Sequence, residues 1–273
     1  MAILNMSPDS FSDGGLHTPS NRASLSNAIV SFVRAGATMI DVGGQSTAPG
    51  KPEVSLDEEL SRVLPAIALI RSLPECKDTV VSIDTYRAAV AETAVAAGAD
   101  MVNDVSAGHL DGAMLATTAR LGATVCLMHM RGTPATMSGL NDYGAHDAGL
   151  VPAVARELLA RVAAAEAAGV RRWRIVLDPG LGFAKVGRQN LRLLRHLEAL
   201  RGWPGLAGLP WLVGSSRKGF VGQATGVSRP AERVWGTAAT VAAAVQAGAD
   251  IVRVHDVEEM SQVVAMSDAI WRY

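Results

Sequence analysis

The stretch Ala247-Gly248-Ala249-Asp250-Ile251-Val252-Arg253-Val254-His255 decides the fold that we predict for this chain. A glycine after an alanine closes a helix, because glycine adopts the left-handed conformation without a steric penalty. The apolar run that follows does not alternate with polar residues, which is typical of a strand buried on both faces. The pattern therefore predicts helices that alternate with parallel strands. It recurs with the glycine at Gly36, Gly98, Gly122 and Gly169.

Eight strands and eight helices are predicted from the sequence. The strands cover 2–4, 39–42, 80–83, 101–103, 124–129, 174–178, 211–213 and 251–255. Helical patterns lie near 22–35, 55–73, 87–97, 113–121, 151–168, 189–200, 231–247 and 257–272. Eight alternating pairs in 273 residues favour a single α/β domain, a (β/α)8 TIM barrel with its active site at the carboxyl ends of the strands. A doubly wound open sheet is the alternative.

The composition excludes several classes of protein. The 25 Lys and Arg residues nearly balance the 26 Asp and Glu residues, which argues against nucleic-acid binding. No apolar run reaches the roughly 20 residues that span a bilayer. The two cysteines, Cys76 and Cys126, are too few for a disulfide scaffold and suit a reducing compartment. Because no secretory signal pattern is visible either, we expect a cytoplasmic enzyme that binds neither membrane nor nucleic acid.

A polar side chain stands at the carboxyl end of every predicted strand. In a TIM barrel, these positions and the loops that follow them form the active site. Two of the loops, 7–20 and 43–52, are long and rich in Gly, Ser and Pro, as binding loops and lids commonly are. The strand-end residues are Asn5, Asp41, Asp84, Asn103, His129, Asp178, the segment 215–218, and Arg253 with His255.

The segments at these strand ends resemble the signatures of the dihydropteroate synthase family. Residues 4–15 read Leu-Asn-Met-Ser-Pro-Asp-Ser-Phe-Ser-Asp-Gly-Gly, and residues 41–50 read Asp-Val-Gly-Gly-Gln-Ser-Thr-Ala-Pro-Gly. The resemblance implies a TIM barrel and a transferase of folate biosynthesis. That family joins p-aminobenzoate to 6-hydroxymethyl-7,8-dihydropterin diphosphate, forms 7,8-dihydropteroate, and is the target of sulfonamides. Further matching segments follow in the family's order at 82–85, 102–105, 127–130, 177–185, 214–220 and 253–257.

The residue types at the strand ends suit a pterin. Its pyrimidine edge is rich in hydrogen-bond donors, and a buried donor edge needs carboxylates such as Asp84 and Asp178. Asn103 offers both a donor and an acceptor, and the cationic Lys218 can reach the ring carbonyl. The alternative for each aspartate is to cap a helix. The resemblance implies further substrate contacts from Met128, Gly182, Phe183 and Lys218, and from the loop residues Phe11, Thr47 and Pro49, which would fold over the aminobenzoate.

The leaving diphosphate needs cations and hard oxygen ligands. Arg253 can grip it bidentately, and His255 lies two residues on, on the same side of the strand. The resemblance implies that Asn5 contacts the diphosphate and that Asn5 and Asp13 hold Mg²⁺. We expect diphosphate to leave in an SN1-like step, because the pterin ring delocalises the positive charge. Lys218, Arg253 and His255 are the expected catalytic residues.

Three positions qualify this expectation. Arg253 could instead pair with Asp256 or Glu258 at the rim. His129 is not assigned as a base, because an arylamine is already uncharged at neutral pH. It is expected either to hydrogen-bond within the rim or to contact a ligand. Ala48 stands where the family has Arg in its second signature, which implies weaker ordering of that loop.

Other functions share parts of this pattern. A pterin-binding methyltransferase domain uses the same barrel but no diphosphate, and the pair Arg253 and His255 favours the synthase. A barrel that only binds pterins or scaffolds other folate enzymes is the non-enzymatic alternative. We expect one pterin-binding domain over 1–273, either alone or as part of a longer multifunctional folate enzyme. The resemblance further implies a homodimer formed through the last helices, and, in a eukaryote, a mitochondrial location is the alternative to the cytoplasm.

Overall fold

The computed structural model of the protein describes residues 1–6, 22–46, 52–144 and 149–272. Within these ranges, strands and helices alternate along the chain. The strands are β1 (Ala2–Asn5), β2 (Met39–Gly43), β3 (Val80–Asp84), β4 (Met101–Asp104), β5 (Thr124–Met128), β6 (Ile175–Asp178), β7 (Leu212–Val213) and β8 (Ile251–Val252). The α-helices are α1 (Arg22–Arg34), α2 (Leu56–Ser72), α3 (Ala88–Ala96), α4 (Met114–Leu121), α5 (Leu150–Ala167), α6 (Arg188–Arg195), α7 (Leu197–Arg201), α8 (Gly219–Thr225), α9 (Val234–Gln246) and α10 (Val257–Trp271).

The strands close into a ring. β1 to β6 form one parallel sheet in chain order, and β7 pairs with β8. The amide of Leu177 donates to the carbonyl of Pro210 at 2.9 Å, which joins β6 to the segment leading into β7. On the other side, the amide of Ile3 donates to the carbonyl of Val254, and the amide of Val254 to the carbonyl of Met1, both at 3.0 Å. The TIM barrel is therefore confirmed, and the open sheet is wrong because its first and last strands would not meet.

The glycine at each repeated helix end adopts the left-handed conformation, as the sequence predicts. The backbone angle φ is +98° at Gly36, +116° at Gly98, +63° at Gly122, +96° at Gly169 and +88° at Gly248. Each glycine follows a helix and precedes the predicted strand. The local repeat thus sets where five helices end and the chain turns back towards the barrel.

Two helical regions differ from the prediction. The single helix expected at 189–200 is two helices, α6 and α7, which meet at His196, where φ is −105° and ψ is 19°. The sequence does not predict α8, because its seven residues include two glycines and are too few to show an amphipathic repeat. Helix α8 begins directly after Lys218 and ends at Gly226. It therefore fixes the turn that carries Lys218 at the barrel mouth.

The inside of the barrel has an apolar layer and a polar layer. The apolar layer contains Met101, Cys126, Val176 and Leu212. Side chains alternate between the two faces of a strand, so residues two positions further along face the same interior, nearer the carboxyl ends. Those residues are Asn103, Met128, Asp178 and Gly214. The fold thus gathers the polar strand ends over an apolar floor.

A larger apolar core lies between the barrel and the surrounding helices. Ile40, Ile83 and Leu127 belong to it from the strands, and Ile67 and Leu158 from the helices; all five are 0% exposed. This core holds the strands at fixed positions from outside. None of the helices within the described ranges is long and apolar enough to cross a membrane.

Candidate active site

Arg253 is held inside the barrel mouth by two carboxylates. Its Nε donates to Asp41 Oδ2 at 2.6 Å, and its Nη2 donates to Asp84 Oδ2 at 2.8 Å. Asn103 Nδ2 donates to the same Asp41 oxygen at 3.0 Å. The side chain of Asp41 is 0% exposed and that of Arg253 20%. Residues from β2, β3 and β4 and from the segment after β8 thus form one charged cluster.

The expected alternative, in which Arg253 pairs at the rim, is wrong. Asp256 binds Arg217 instead, with Arg217 Nη2 2.5 Å from Asp256 Oδ1. Within the described ranges, the ion pairs of Arg253 are those with Asp41 and Asp84. Arg253 reaches inward because both aspartates project into the barrel interior from neighbouring strands.

Burial shifts the pKa values of these charged groups. It raises the pKa of Asp84 to about 7, although the guanidinium of Arg253 opposes the shift. It also raises the pKa of Asp178, against the attraction of Lys218. Burial alone would lower the pKa of Arg253, but Asp41 and Asp84 raise it above its ordinary value. Arg253 is therefore a permanent cation, while the carboxyl group of Asp84 is harder to ionise than that of an exposed aspartate.

Asp178 and Lys218 form another wall of the mouth together with the turn between them. Asp178 Oδ1 accepts from the amide of Gly180 at 2.6 Å, and Lys218 Nζ donates to the carbonyl of Leu181 at 2.5 Å. The same Nζ lies 5.0 Å from the centre of the Phe183 ring. Burial lowers the pKa of Lys218 to about 8, against the attraction of Asp178. The aspartate, lysine and aromatic ring expected to contact the substrates are thus brought together.

Gly214 lies between the cluster around Arg253 and the wall formed by Asp178 and Lys218. A Cβ atom on Gly214 would lie 3.8 Å from Arg253 Cβ and 3.9 Å from Lys218 Nζ, so the two cations flank this glycine. A Cβ atom on Gly182 would lie 3.3 Å from Lys218 Cδ. Met128 pairs with Asp178 in the register of β5 and β6. The mouth therefore contains Asp84, Asn103, Met128, Asp178, Gly182, Phe183, Lys218 and Arg253 from the predicted set.

Asn5 lies beside Asp84 across a glycine. The register places Asn5 next to Gly43 and Gly43 next to Asp84 on three neighbouring strands. A Cβ atom on Gly43 would be 3.7 Å from Asn5 Oδ1 and 3.5 Å from Asp84 Cβ. The glycine thus leaves the amide oxygen of Asn5 facing the charged cluster from the first strand.

His255 lies next to the cluster as a neutral imidazole. Ser216 Oγ is 3.0 Å from His255 Nδ1 and accepts from the His255 amide at 3.1 Å. Burial lowers the pKa of His255 to about 3, and Arg217 and Arg253 add to the shift. If the hydroxyl of Ser216 donates to Nδ1, the ring proton is on Nε2 and can be donated to an anion. Of the predicted gripping pair, Arg253 alone is charged at neutral pH.

A chain of polar groups lies behind the wall that carries Phe183. Lys185 Nζ is 2.8 Å from His129 Nδ1, and His129 Nε2 is 2.9 Å from Glu157 Oε2. Arg131 Nη2 donates to Glu157 Oε1 at 2.6 Å. Burial lowers the pKa of His129 to about 4, and the neighbouring Lys185 adds to the shift. His129 therefore hydrogen-bonds within the protein, which is the first of its two expected roles.

Sequence reasoning missed the roles of Asp41, Lys185 and Glu157. Asp41 was visible as a strand-end residue, but nothing in the sequence shows that it faces Arg253. Lys185 ends the segment 177–185 that carries the family resemblance, and Glu157 stands on the polar face of a predicted helix. The available signal was the presence of ionisable residues in otherwise apolar surroundings, which need partners when buried.

Five positions of interest lie outside the described residues: Phe11, Asp13, Thr47, Ala48 and Pro49. At the last described residues before the second loop, Gln45 Nε2 donates to the hydroxyl of Tyr86 at 2.7 Å. Gln45 Oε1 accepts from the amide of Val54 at 3.2 Å. Across the part of the chain that the structure describes, no group of three or more His, Cys, Asp or Glu residues could hold a metal ion.

The chain is similar in sequence to known proteins over its whole length. Residues 1–255 match the family model described as pterin binding enzyme. The chain is 48% identical to dihydropteroate synthase from Synechocystis sp., over 100% of this chain and 90% of that protein. It is also 48% identical to the folic acid synthesis protein fol1 of Pneumocystis carinii, over 100% of this chain. It spans 36% of the length of that fungal relative.

Solved structures share the barrel fold. Dihydropteroate synthase from Yersinia pestis in a sulfonamide drug complex has a TM-score of 0.88 and 39% identity, covering 100% of this chain and 94% of that one. Dihydropteroate synthase from Xanthomonas albilineans in complex with 7,8-dihydropteroate has a TM-score of 0.82 and 37% identity, covering 99% and 92%.

Proposed function

The chain belongs to the pterin-binding enzyme family, and we propose on this basis that it is a dihydropteroate synthase. The reaction joins the amino nitrogen of p-aminobenzoate to the methylene carbon of 6-hydroxymethyl-7,8-dihydropterin diphosphate. The products are 7,8-dihydropteroate and diphosphate. The observation that carries the proposal is the convergence of Asp84, Asn103, Asp178 and Lys218 on a mouth that also holds Arg253.

Two carboxylates in this mouth suit the donor edge of a pterin. Asp84 uses Oδ2 for Arg253, and Asp178 uses Oδ1 for the amide of Gly180. Among the described residues, the second oxygen of each has no hydrogen-bond partner. A buried donor edge is recognised most strongly by such charge-assisted acceptors. Asn103 would add a donor and an acceptor to the contacts with the pterin edge, and the cationic Lys218 would contact the ring carbonyl.

The leaving diphosphate is held by Arg253 on our proposal. Its Nε and Nη2 are bound to aspartates, and its Nη1 has no hydrogen-bond partner within the described ranges. The bond from the methylene carbon to diphosphate breaks with its electron pair on oxygen. The amine nitrogen then bonds to that carbon and loses a proton. A preplaced cation stabilises the developing negative charge without reorganising during the reaction.

The aminobenzoate lies against Phe183 and Lys218 on this proposal. The Phe183 ring and the Lys218 ammonium, 5.0 Å apart, offer an apolar face and a cation for an aromatic acid. The loop residues Phe11, Thr47 and Pro49 are proposed to cover it, as the family resemblance implies. Covering the site would exclude water, which competes with the amine for the pterin cation.

Magnesium is proposed as an ion shared between the protein and the diphosphate. Asn5 presents an amide oxygen beside Asp84 across Gly43, which fits an ion that is usually held by one or two protein oxygens and by phosphate. Asn5 and Asp13 would hold it, and the ion would neutralise charge on the diphosphate. Removal of Mg²⁺ should weaken diphosphate binding, and Asn5→Ala should raise the Mg²⁺ concentration needed for half-maximal binding.

Incorporation of labelled p-aminobenzoate into dihydropteroate tests the proposed function. Product should form with the pterin diphosphate and not with the corresponding pterin alcohol, which lacks the leaving group. Product formation inhibited competitively by a sulfonamide would support the proposal. A protein that binds pterin but forms no product would instead be a binding barrel. Pterin binding that is equally strong with and without the diphosphate group, together with methyl transfer, would favour the methyltransferase alternative.

A homodimer and a cellular location complete the proposal. Trp235 on α9 is 81% exposed, and Met266 and Ile270 on α10 are 63% and 54% exposed. The two helices pack against each other, and exposed apolar side chains on both would suit contact with a second copy. We place the reaction in the cytoplasm or, in a eukaryote, in mitochondria. The chain would act alone or as one domain of a longer folate enzyme.

A further inference from the structure

The turn from Gly180 to Phe183 is held from two sides by lysines, the buried Lys185 and the half-buried Lys218. Lys185 Nζ donates to the carbonyl of Gly180 at 3.0 Å and to the carbonyl of Phe183 at 2.9 Å. Lys218 Nζ donates to the carbonyl between them, that of Leu181, at 2.5 Å. Three of the four carbonyls of the turn are therefore bound to ammonium groups.

The contacts of Lys185 fit the charged form of this side chain, although burial lowers its pKa to about 7. Lys185 is 4% exposed, and its Nζ has a third neighbour, His129 Nδ1, at 2.8 Å. Three acceptors need three hydrogens, which an ammonium has and a neutral amine lacks. His129 then accepts at Nδ1 and donates from Nε2 to Glu157, which Arg131 also binds. This chain of hydrogen bonds fixes the lysine from behind.

The turn has little room to move. At Gly180 φ is +68°, and a Cβ atom there would lie 1.9 Å from the carbonyl oxygen of His129. Asn190 Oδ1 accepts from the amide of Gly182 at 2.6 Å, and Asn190 Nδ2 donates to the carbonyl of Lys185 at 3.2 Å. The turn thus lies close against the backbone after β5 and is hydrogen-bonded by Asn190. Among the described residues, Lys185 is the cation that contacts two of its carbonyls.

We propose that Lys185 is a positioning residue that holds the 180–183 turn so that Phe183 and Gly182 meet the aminobenzoate correctly. Lys185 acts through the turn and contacts no substrate itself. The proposal rests on the function proposed above, because that function places the aminobenzoate against Phe183. It assigns to Lys185, and behind it to His129 and Glu157, control over binding of the second substrate.

The two substrates should depend differently on Lys185. Asp84 and Asn103, which recognise the pterin edge on our proposal, lie on other strands. Asp178 and Lys218 also recognise that edge, and each meets the turn through one hydrogen bond. The aminobenzoate depends on Phe183, whose own carbonyl is bound by Lys185. Loosening the turn should therefore change the KM for aminobenzoate much more than the KM for the pterin diphosphate.

The variant Lys185→Met tests this difference, because methionine has a similar volume but no donor. We expect the KM for aminobenzoate to rise about tenfold or more, while the KM for the pterin diphosphate changes less than about threefold. Amide hydrogen exchange should become faster in the segment 180–187. Lys77→Met, at an exposed lysine, is the matched control and should leave both KM values unchanged. Equal changes in both KM values, or none, would overturn the proposal.

A second variant decides the question if Lys185→Met does not fold. Glu157→Gln keeps a hydrogen-bond acceptor for His129 but removes the charge behind it. It should raise the KM for aminobenzoate selectively, by less than the first variant, and an unchanged KM would contradict the proposal. If the wild-type protein forms no dihydropteroate, the proposed function fails. Amide hydrogen exchange in the segment 180–187 then tests whether Lys185 and Glu157 hold the turn. Exchange that is unchanged in both variants would reject that role.

Discussion

Arg253 and Asp41, separated by 212 positions in the sequence, are joined inside the barrel by a hydrogen bond of 2.6 Å from Nε to Oδ2. Asp41 is fully buried, and its second oxygen has no hydrogen-bond partner within the described ranges. A buried carboxylate without full hydrogen bonding is unfavourable unless a cation compensates it. The pair therefore places a fixed positive charge at the mouth before any substrate arrives.

Arg253→Lys should lower kcat/KM on the order of a hundredfold. Lysine keeps the charge, but its three donors sit on one nitrogen and cannot span two aspartates and an anion as the spread N–H groups of the planar guanidinium do. Steady-state kinetics with varied pterin diphosphate measure the loss. Arg229→Lys is the control, since the side chain of Arg229 is 78% exposed. Equal activity in both variants would show that the fork is not needed.

Asp41→Asn should raise the KM for the pterin diphosphate about tenfold, because Arg253 loses one of its two carboxylate partners. We also expect the free energy of unfolding to fall by about 1–3 kcal/mol. Kinetics and urea unfolding measure the two effects separately. Asp78→Asn, at an exposed aspartate, should change neither. A wild-type KM in the Asp41→Asn variant would show that Asp41 is not needed to position Arg253.

Gly180→Ala should destabilise the protein far more than Gly122→Ala. Both glycines have similar angles, with φ of +68° and +63°. An alanine at Gly122 meets no atom within 4 Å, so only the left-handed backbone opposes it, at about 1 kcal/mol. An alanine at Gly180 would collide with the carbonyl oxygen of His129. Urea unfolding of both variants checks the prediction, and similar losses would contradict the close approach.

Two buried neutral histidines should make the protein less stable in acid. The pKa values of His129 and His255 lie at about 4 and about 3, below the ordinary 6.5. As the pH falls below 6.5, the unfolded chain binds protons at both positions before the folded protein does, so the free energy of unfolding falls until about pH 4 for His129 and about pH 3 for His255.

His129→Asn should reduce this dependence on pH. Removing one histidine should shrink the loss of stability between about pH 6.5 and about pH 4.5 by about 2 kcal/mol. Urea unfolding at the two pH values measures this difference. A loss of stability that the substitution causes equally at both pH values cancels out. The exposed His196, replaced in the same way, is the control. An unchanged pH dependence would mean that His129 binds protons equally in the folded and unfolded protein.

Trp235→Arg should convert the proposed dimer into a monomer. Trp235 is 81% exposed, and a charge within the proposed apolar interface opposes association. Sedimentation equilibrium measures the mass of both proteins. Trp173→Arg, at another exposed tryptophan (73%), should leave the dimer intact. A wild-type monomer would reject the interface.

Much of the barrel could be predicted because its signals are local. Gly36 and Gly248 close helices through their own backbone freedom, and the apolar runs after them need no distant partner to identify them. Helix α8 could not be predicted, because its seven residues show no repeat of their own and its buried side chains, Phe220 and Val221, belong to the core shared with the rest of the chain.

The site could be predicted as a set of residues but not as a set of pairs. The strand ends placed Asp84, Asp178 and Arg253 at one mouth, because all parallel strands point the same way. Which carboxylate meets which cation depends on strand order around the ring and on side-chain length. The pairs of Arg253 with Asp41 and of Lys185 with His129 join distant segments, so they required the structure.

The ring of strands has a seam where the end of β8 meets β1, closed by hydrogen bonds between Ile3 and Val254 and between Val254 and Met1. Asn5 and Arg253 stand on its two sides. An anion that binds both residues would link the first and last strands and so stabilise the closed ring. We therefore expect diphosphate to raise the melting temperature of the whole barrel and to slow amide exchange most strongly along β1.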